Sequence, residues 1–414
     1  MIKSNKRKIL FYCASIPTVM LYKIARVLKK NGYSAILFTM CEKHRFNHKF
    51  YSEVFDKIVC SNFQFFKISQ KSVPYFFKRI FSLFKFSVLL KFSKPYIWIG
   101  AMGGNWQLRL VHKYFLKKSP FIYFPYDIIS HFFGSREEAL KTTKNFEINA
   151  ERYCLENADG IMHKGNPDEL KYLNGRIHEN LNIVPLQLNF MPYCSKEFII
   201  QTNIPKLQNK DKEIHIVSAG YMSNHQKSIE GFSELVNKLS RQKIHMHVYM
   251  LIDHISKEKE KEYIKNFFSS VIKNAYFHLH DSLGPKELIR EMSKYDFGFF
   301  TYAYTKPENI EITLCMGNKL SSYLEAGLPS ICYEKTKFMS DMIEKNGMGV
   351  SFNLDNIGKL KQKLKKLNYK KMVKNVEMVR EDFDMDKNFI RLKQFIDVVI
   401  NSKSRQNFKN KENI

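Results

Sequence analysis

The chain has 414 residues, 44% apolar and 26% charged. At roughly 150 residues per domain that is room for two buried cores, and these fractions exclude collagen-like, coiled-coil and disordered classes. The net charge is +27, and residues 1–126 hold 23 bases against only three acids, so an anionic partner for the first quarter is expected: nucleic acid, a membrane surface or a phosphorylated ligand.

Lys3, Lys6, Arg7 and Lys8 precede an apolar run from Ile9 and imitate a secretion signal. Pro17 interrupts that run and Lys23 and Arg26 follow, so Ile9–Cys13 reads as a buried strand. A helix to Lys30 follows, stopped by Asn31-Gly32, then strands at Ala35–Thr39 and Lys57–Cys60. Ser72–Phe92 reads as a long basic helix, and strands are expected at Tyr96–Ile99 and Phe121–Phe124. Glu137–Asn157 is predicted helical, with short strands at Gly160–His163 and Asn182–Pro185. Residues 196–212 are polar, contain Pro205 and lack periodicity, which predicts a linker.

The pattern then restarts. Strands are predicted at Ile214–Ala219, His245–Leu251, Ala275–Leu279, Phe297–Thr301 and Ser330–Tyr333. Helices are predicted at Ser228–Ser240, Lys257–Phe268, Pro285–Lys294 and Lys319–Ala326, with closing helices near Ile357–Lys366 and Asp386–Val399. Strands alternating with helices predict an α/β chain of two Rossmann-like, doubly wound domains, 1–195 and 213–385. They would face a central cleft, with a terminal helix over 386–401 and a disordered tail over 402–414. Seven scattered cysteines with no C-x-x-C pair indicate neither a zinc knuckle nor a disulfide framework and fit a reducing, cytoplasmic compartment. No run of 18 apolar residues occurs.

The densest candidate site is Gly317–Pro329. Asn318, Ser322 and Glu325 lie at i, i+4 and i+7 on one helical face, Leu320 and Leu324 on an apolar one, and Gly327-Leu328-Pro329 stops the helix. A helix N-terminus with Lys319 on its first turn suits a diphosphate, and the polar face suits sugar or ribose hydroxyls. A capped surface helix with its polar face in water is the alternative. The run N-K-L-x-x-Y-L-x-A-G-x-P before an apolar strand resembles the donor-site helix of the GT-B glycosyltransferases, in particular the family 4-like enzymes of envelope polysaccharide synthesis. Gly220-Tyr221 after a strand, with Lys227 opening a helix, is similar to that family's diphosphate loop. The stretch Glu147–Ile161 resembles its helix-to-strand junction late in the first domain, and Asp386–Val399 its terminal crossover helix.

The resemblance implies nucleotide-sugar binding by Gly220, Tyr221, Lys227, Asn318, Lys319, Leu320, Ser322 and Glu325, with His280 and Asp281 lining the nucleotide pocket. Two departures leave the donor and the stereochemistry open. Tyr221 stands where the family has an arginine, and Ser322 where many retaining members have a glutamate. Departure of a nucleoside diphosphate builds negative charge that fixed cations can stabilise, so Lys227 and Lys319 suffice without a metal, and no cofactor is expected. Asp384-Met385-Asp386 has an Asp-x-Asp form, but its place before a helix reads as a cap. An acceptor hydroxyl needs a base, and Asp127, after a strand of the first domain, is the first candidate and His131 the second. The loop holding Gly103 and Gly104 reads as a wall facing the acceptor. His245 and His247 alternate within a strand, which reads as one solvated face.

Between Phe63 and Phe92, phenylalanines and tyrosines interleave with Lys78, Arg79 and Lys85, a composition suited to an anionic membrane surface. The expectation is a glycosyltransferase, peripheral on the inner face of the cytoplasmic membrane, using a nucleotide-sugar donor and a glycan or lipid-linked acceptor. The alternatives are a catalytically silent subunit of the same fold and a nucleic-acid-binding protein, which would leave Asn318–Pro329 unexplained.

Overall fold

A computed structural model describes residues 7–61, 73–101, 103–142, 145–200, 204–220, 226–250, 268–301 and 310–412; the side chains of 73–81, 142, 226–230 and 406–412 lie outside that description. The chain divides into two compact units, Met1–Met191 with Asn388–Ile414, and Pro192–Lys387.

The first unit is built on seven described strands: β1 (Lys8–Cys13), β2 (Ser34–Thr39), β3 (Lys57–Cys60), β4 (Ile97–Ala101), β5 (Phe121–Phe124), β6 (Gly160–His163) and β7 (Gln187–Asn189). They pair in the order β3-β2-β1-β4-β5-β6-β7, all parallel, with Ile9 of β1 opposite Ala35 on one side and Ile97 on the other. Ile9, Leu10 and Phe11 are buried, and Trp98 stacks on Phe121 at 3.9 Å, because a parallel sheet is covered on both faces and needs apolar side chains on both. The strand order reverses between β1 and β4, so the loops after Cys13 and Ala101 open at the switch point where doubly wound sheets bind ligands.

The second unit carries β8 (Ile214–Gly220), β9 (Ile244–Met250), β10 (Phe277–His280), β11 (Phe297–Phe299), β12 (Ser330–Tyr333) and β13 (Gly349–Phe352) in the order β10-β9-β8-β11-β12-β13, again all parallel. Here the switch point lies between β8 and β11. The strand β13 and the helix Tyr369–Asp382 are not among the expected elements, although the helix carries Met372, Val376 and Val379 on one buried face behind an Asn368 cap, while the helix expected at Lys257–Phe268 lies almost wholly outside the described residues.

Several boundaries differ from expectation. The predicted helix Glu137–Asn157 is described over Arg136–Thr142 and Asn145–Asn157, with 143–144 outside the description, and the strand expected at Asn182–Pro185 forms at β7 instead. Residues 196–212 are not a free linker: they belong to the second unit. Phe198 is buried there, the Ile200 N–H donates to the Glu325 carbonyl, and Lys206 donates to the carbonyls of Ser293 and Tyr295 at 2.9 and 2.7 Å. Isolated anchors in a polar stretch are enough to dock it, and periodicity does not report them.

The last helix runs Met385–Glu412, so the expected disordered tail over 402–414 continues it as far as Glu412. No Gly or Pro interrupts the run, and each residue added to an anchored helix gains a hydrogen bond without a new nucleation cost. Asp384 caps it, its Oδ1 accepting from the Asp386 N–H at 2.9 Å. From Asn388 onward the helix packs in the first unit, where Leu392, Ile396 and Val399 are buried, Arg391 donates to the Asn189 carbonyl and Lys403 pairs with Asp159 at 3.0 Å. No described helix is long and apolar enough to cross a membrane.

Candidate functional site

The carboxyl edge of the second sheet brings Gly220 and Lys319 together. Gly220 ends β8 with φ +113°, a conformation open to glycine, and a Cβ there would lie 3.2 Å from Lys319 Cε. The bare glycine therefore lets the lysine chain lie across the end of the strand. Burial pushes the Lys319 ammonium down to about 8. Asn318, at the start of the helix Lys319–Glu325, has a buried Oδ1 that accepts no hydrogen bond from the described residues. The helix is fixed by Leu320 and Leu324 in the core and by the Tyr323 hydroxyl donating to the Phe299 carbonyl at 2.8 Å. It ends where Gly327 N–H donates to the Leu324 carbonyl and Leu328 N–H to that of Tyr323, the paired bonds of a glycine C-cap. A rigid frame thus holds a buried ammonium and an amide oxygen beside a strand end, an arrangement able to hold an anion and a hydroxyl.

Two expected ligand contacts are corrected. Leu320 is a core residue at 0% exposure. Glu325, also fully buried, accepts from the Ser195 N–H at 2.7 Å and so fastens the segment that enters the unit. Spacing placed Asn318, Ser322 and Glu325 on one face but did not reveal that residues 194–200 cover its far end. Ser322 is half-buried. His280 ends β10 and Asp281 follows it, two strands from β8 and so roughly 10 Å from Gly220. His280 shares a hydrogen bond with His247 at 2.9 Å, and Asp281 is exposed. Tyr221 lies outside the described residues, as does the side chain of Lys227 on the helix Gln226–Ser240.

In the first unit the carboxyl edge gathers different groups. Asp127, half-exposed just after β5, accepts from Lys164 Nζ at 3.1 Å, and that buried lysine lies 5.3 Å from the Tyr126 ring. The Tyr126 hydroxyl meets Thr18, from the loop after β1. His131 is 1% exposed and does not reach solvent, so it is corrected as a base for an incoming hydroxyl. Its turn, Ile129–Phe132, is held from below by buried Glu151, which accepts from the N–H groups of Ile129 and Ser130 at 2.6 and 3.2 Å and contacts His178 at 3.3 Å. Sequence reasoning assigned no such role to Glu151.

Gly103 and Gly104 have φ of +66° and +64° and turn β4 into the helix Asn105–Leu110. The N-terminus of that helix is met by Glu147, whose carboxylate accepts from the Trp106 N–H at 3.4 Å and is raised mainly by burial. Glu147 therefore takes up a free N–H of that helix's first turn. On the helix Val73–Lys91, Phe86 and Leu90 enter the core while Phe84 and Phe92 are 65% and 69% exposed, and Lys85 and Lys91 are exposed between them. Exposed Lys113 and Tyr114 lie on the adjoining segment Val111–Phe115. The side chains of Lys78 and Arg79 lie outside the described residues.

The expected solvated face of β9 is instead a packed ladder of imidazoles. His215 lies opposite His245 in register, and His247 opposite His278. Hydrogen bonds of 2.9 Å join His215 to His247, His247 to His280 and His245 to His278. Tyr295 covers His247 at 4.5 Å, and burial with the neighbouring imidazoles pushes His247 down to about 2 and His278 to about 4. The motif H-x-H in two neighbouring strands was the available signal, since residues two apart share a face.

Residues 233–389 match the family described as glucosyltransferase 3-like, C-terminal domain. No curated protein sequence is significantly similar to the chain. Among solved structures, HepE (Alr3699) of Anabaena in complex with UDP-glucose is similar at TM-score 0.58 and 10% identity, covering 95% of this chain and 99% of its own. Sucrose-phosphate synthase from Thermosynechococcus elongatus is similar at TM-score 0.60 and 12% identity, covering 98% and 100%. MnaA of S. aureus with UDP is similar at TM-score 0.56 and 9% identity, covering 95% and 97%. The whole chain has the GT-B fold, and the family match to a glucosyltransferase C-terminal domain falls almost wholly within its second unit.

Proposed function

We propose that the chain transfers a sugar from a nucleotide-sugar to a hydroxyl of a glycan or lipid-linked acceptor in the assembly of a bacterial surface polysaccharide such as capsule or O-antigen. The observation that carries this reading is Lys319 lying across Gly220 beside the buried Asn318 oxygen, on a unit that matches a glucosyltransferase family. The donor diphosphate sits against the Lys319 ammonium, with Lys227 as a second cation, and Asn318 orients a sugar or ribose hydroxyl. As the glycosidic bond to the leaving diphosphate breaks, the charge that develops meets a preorganised cation in a site of low dielectric. Asp127 takes the proton of the acceptor hydroxyl, and its ion pair with Lys164 fixes the carboxylate. The reading assigns no metal and no organic cofactor to the transfer. Uridine diphosphate sugars are the first donors to test, because HepE and MnaA were solved with UDP-glucose and UDP. A nucleotide-sugar that binds only the folded chain raises its melting temperature and, with acceptor present, is consumed with release of the nucleoside diphosphate. If no nucleotide or nucleotide-sugar shifts the melting temperature, the reading is wrong.

The acceptor side is proposed to meet an anionic bilayer at the cytoplasmic face. Phe84 and Phe92 enter the interface while Lys85, Lys91 and Lys113 meet lipid phosphates, and each such cation contributes about 1 kcal/mol at an anionic surface. Sedimentation with phosphatidylglycerol vesicles tests this. The double change Phe84→Asp and Phe92→Asp should release the protein, and retention on the vesicles would exclude the patch.

A further inference from the structure

The amino edge of the second sheet holds a cluster that the transfer reaction does not use. His215 and His245 are the second residues of β8 and β9 and lie opposite each other in register. Their rings stack at 4.4 Å with planes 5° apart. Both Nε2 atoms face carboxylates: His215 Nε2 lies 2.9 Å from Asp211 Oδ2, and His245 Nε2 lies 2.9 Å from Glu213 Oε2 and 3.8 Å from Asp211 Oδ2.

We propose that Asp211, Glu213, His215 and His245 form a zinc site that clasps the entry segment to the second sheet. Two ligands of a tetrahedral zinc, each about 2.0–2.2 Å from the metal, are about 3.3 Å apart. The ligand atoms of Asp211, His215 and His245 lie within 4.8 Å of one another, and two of their spacings, 2.9 and 3.8 Å, bracket that value, so these three groups close on an ion once the stacked rings tilt toward it, and Glu213, 2.9 Å from His245 Nε2, moves in as the fourth. Two imidazoles with two carboxylates favour zinc over magnesium or calcium, which take oxygen donors. The site has a way in, since the Asp211 side chain is 41% exposed while His215 is buried behind it.

The outer shell is already built. His215 Nδ1 meets His247 Nε2, whose Nδ1 meets His280 Nε2, and His245 Nδ1 meets His278 Nε2, each at 2.9 Å. Metal ligands of this kind give their second ring N–H to a neighbour that fixes orientation and tautomer. With neutral rings and no ion, each Nε2 carries the proton and donates to its carboxylate. Zinc on Nε2 requires the proton on Nδ1, so His215 then donates to His247 and His245 to His278, and His247 in turn donates to His280. Binding therefore reverses the hydrogen-bond direction along the ladder.

Asp211 closes the short helix Gln208–Asp211, and its Oδ1 accepts from the Glu213 N–H at 2.9 Å, which points Oδ2 toward the imidazoles. The ion would join the segment before β8 to the first residues of two strands. Because this edge is opposite the one holding Gly220 and Lys319, zinc should stabilise the fold without entering the sugar transfer.

The test is titration of the full chain, stripped with chelator, with zinc chloride and separately with cobalt chloride. One zinc per chain should bind and raise the melting temperature, and cobalt should give the visible absorption of a tetrahedral ion. Asp211→Asn, at an exposed position, and His245→Gln should each weaken zinc at least as much as losing an outer-shell partner does, about 10- to 100-fold. Nitrogen chemical shifts should show the histidine tautomers reversing on zinc addition. Absence of zinc binding, or equal affinity in wild type and both variants, would overturn the proposal.

Discussion

Lys164, buried, and Lys319, half-buried along its chain, both lie at the carboxyl edge of a parallel sheet, and different effects dominate at the two ammonium groups. Lys164 has the Asp127 carboxylate 3.1 Å away and the Tyr126 ring beneath it, so the first unit carries an anion against its own cation. At Lys319, burial dominates and pushes the ammonium down to about 8. The lesson is that similar positions in similar folds serve opposite ends. An ion pair holds a carboxylate ready to accept a proton, whereas a desolvated ammonium gains most from an incoming anion.

The largest effect should come from Lys319. In the proposed donor site, Lys319→Ala is expected to weaken nucleotide-sugar binding by about 100-fold, the equivalent of ~3 kcal/mol for truncating one partner of a buried charge pair. Unchanged affinity by calorimetry would break the comparison. Its sign with pH is fixed as well. The bound diphosphate favours the charged ammonium, so affinity should be level below about 8 and decline as pH rises through that value. Loss of this pH dependence in Lys319→Arg, whose charge persists, would sharpen the assignment.

At the other edge, Asp127→Asn should lower kcat by about 100-fold while leaving donor affinity in place, within the range for removal of a general base. The change also takes its carboxylate from the buried Lys164 ammonium, so a melting curve accompanies the kinetics to separate lost stability from lost catalysis. A parallel fall in donor affinity would show that Asp127 serves binding instead.

Legibility in the sequence followed the range of the interaction. Local order was readable: the apolar runs of the strands, the glycine cap at Gly327, and Asp384 as a helix cap all depend on neighbours within a few residues. The run Asn318–Pro329 showed a lysine at the first turn of a helix, but not that its chain lies over Gly220, about a hundred residues earlier. Glu325 was misread for the same reason, since the group that claims it, the Ser195 N–H, comes from a segment with no periodic signal. The histidines were misread because residues two apart establish a shared face but not what covers it.

The alternation of apolar strands with helices thus determined the two doubly wound units, because burial on both faces of a parallel sheet demands that pattern wherever it occurs. Tertiary structure decided which polar groups meet: Lys319 with Gly220, Asp127 with Lys164, and five histidines in one ladder with Asp211 and Glu213 at its end. Strand order and register set those meetings, and both arise from packing among elements far apart in the chain, where sequence spacing carries no distance.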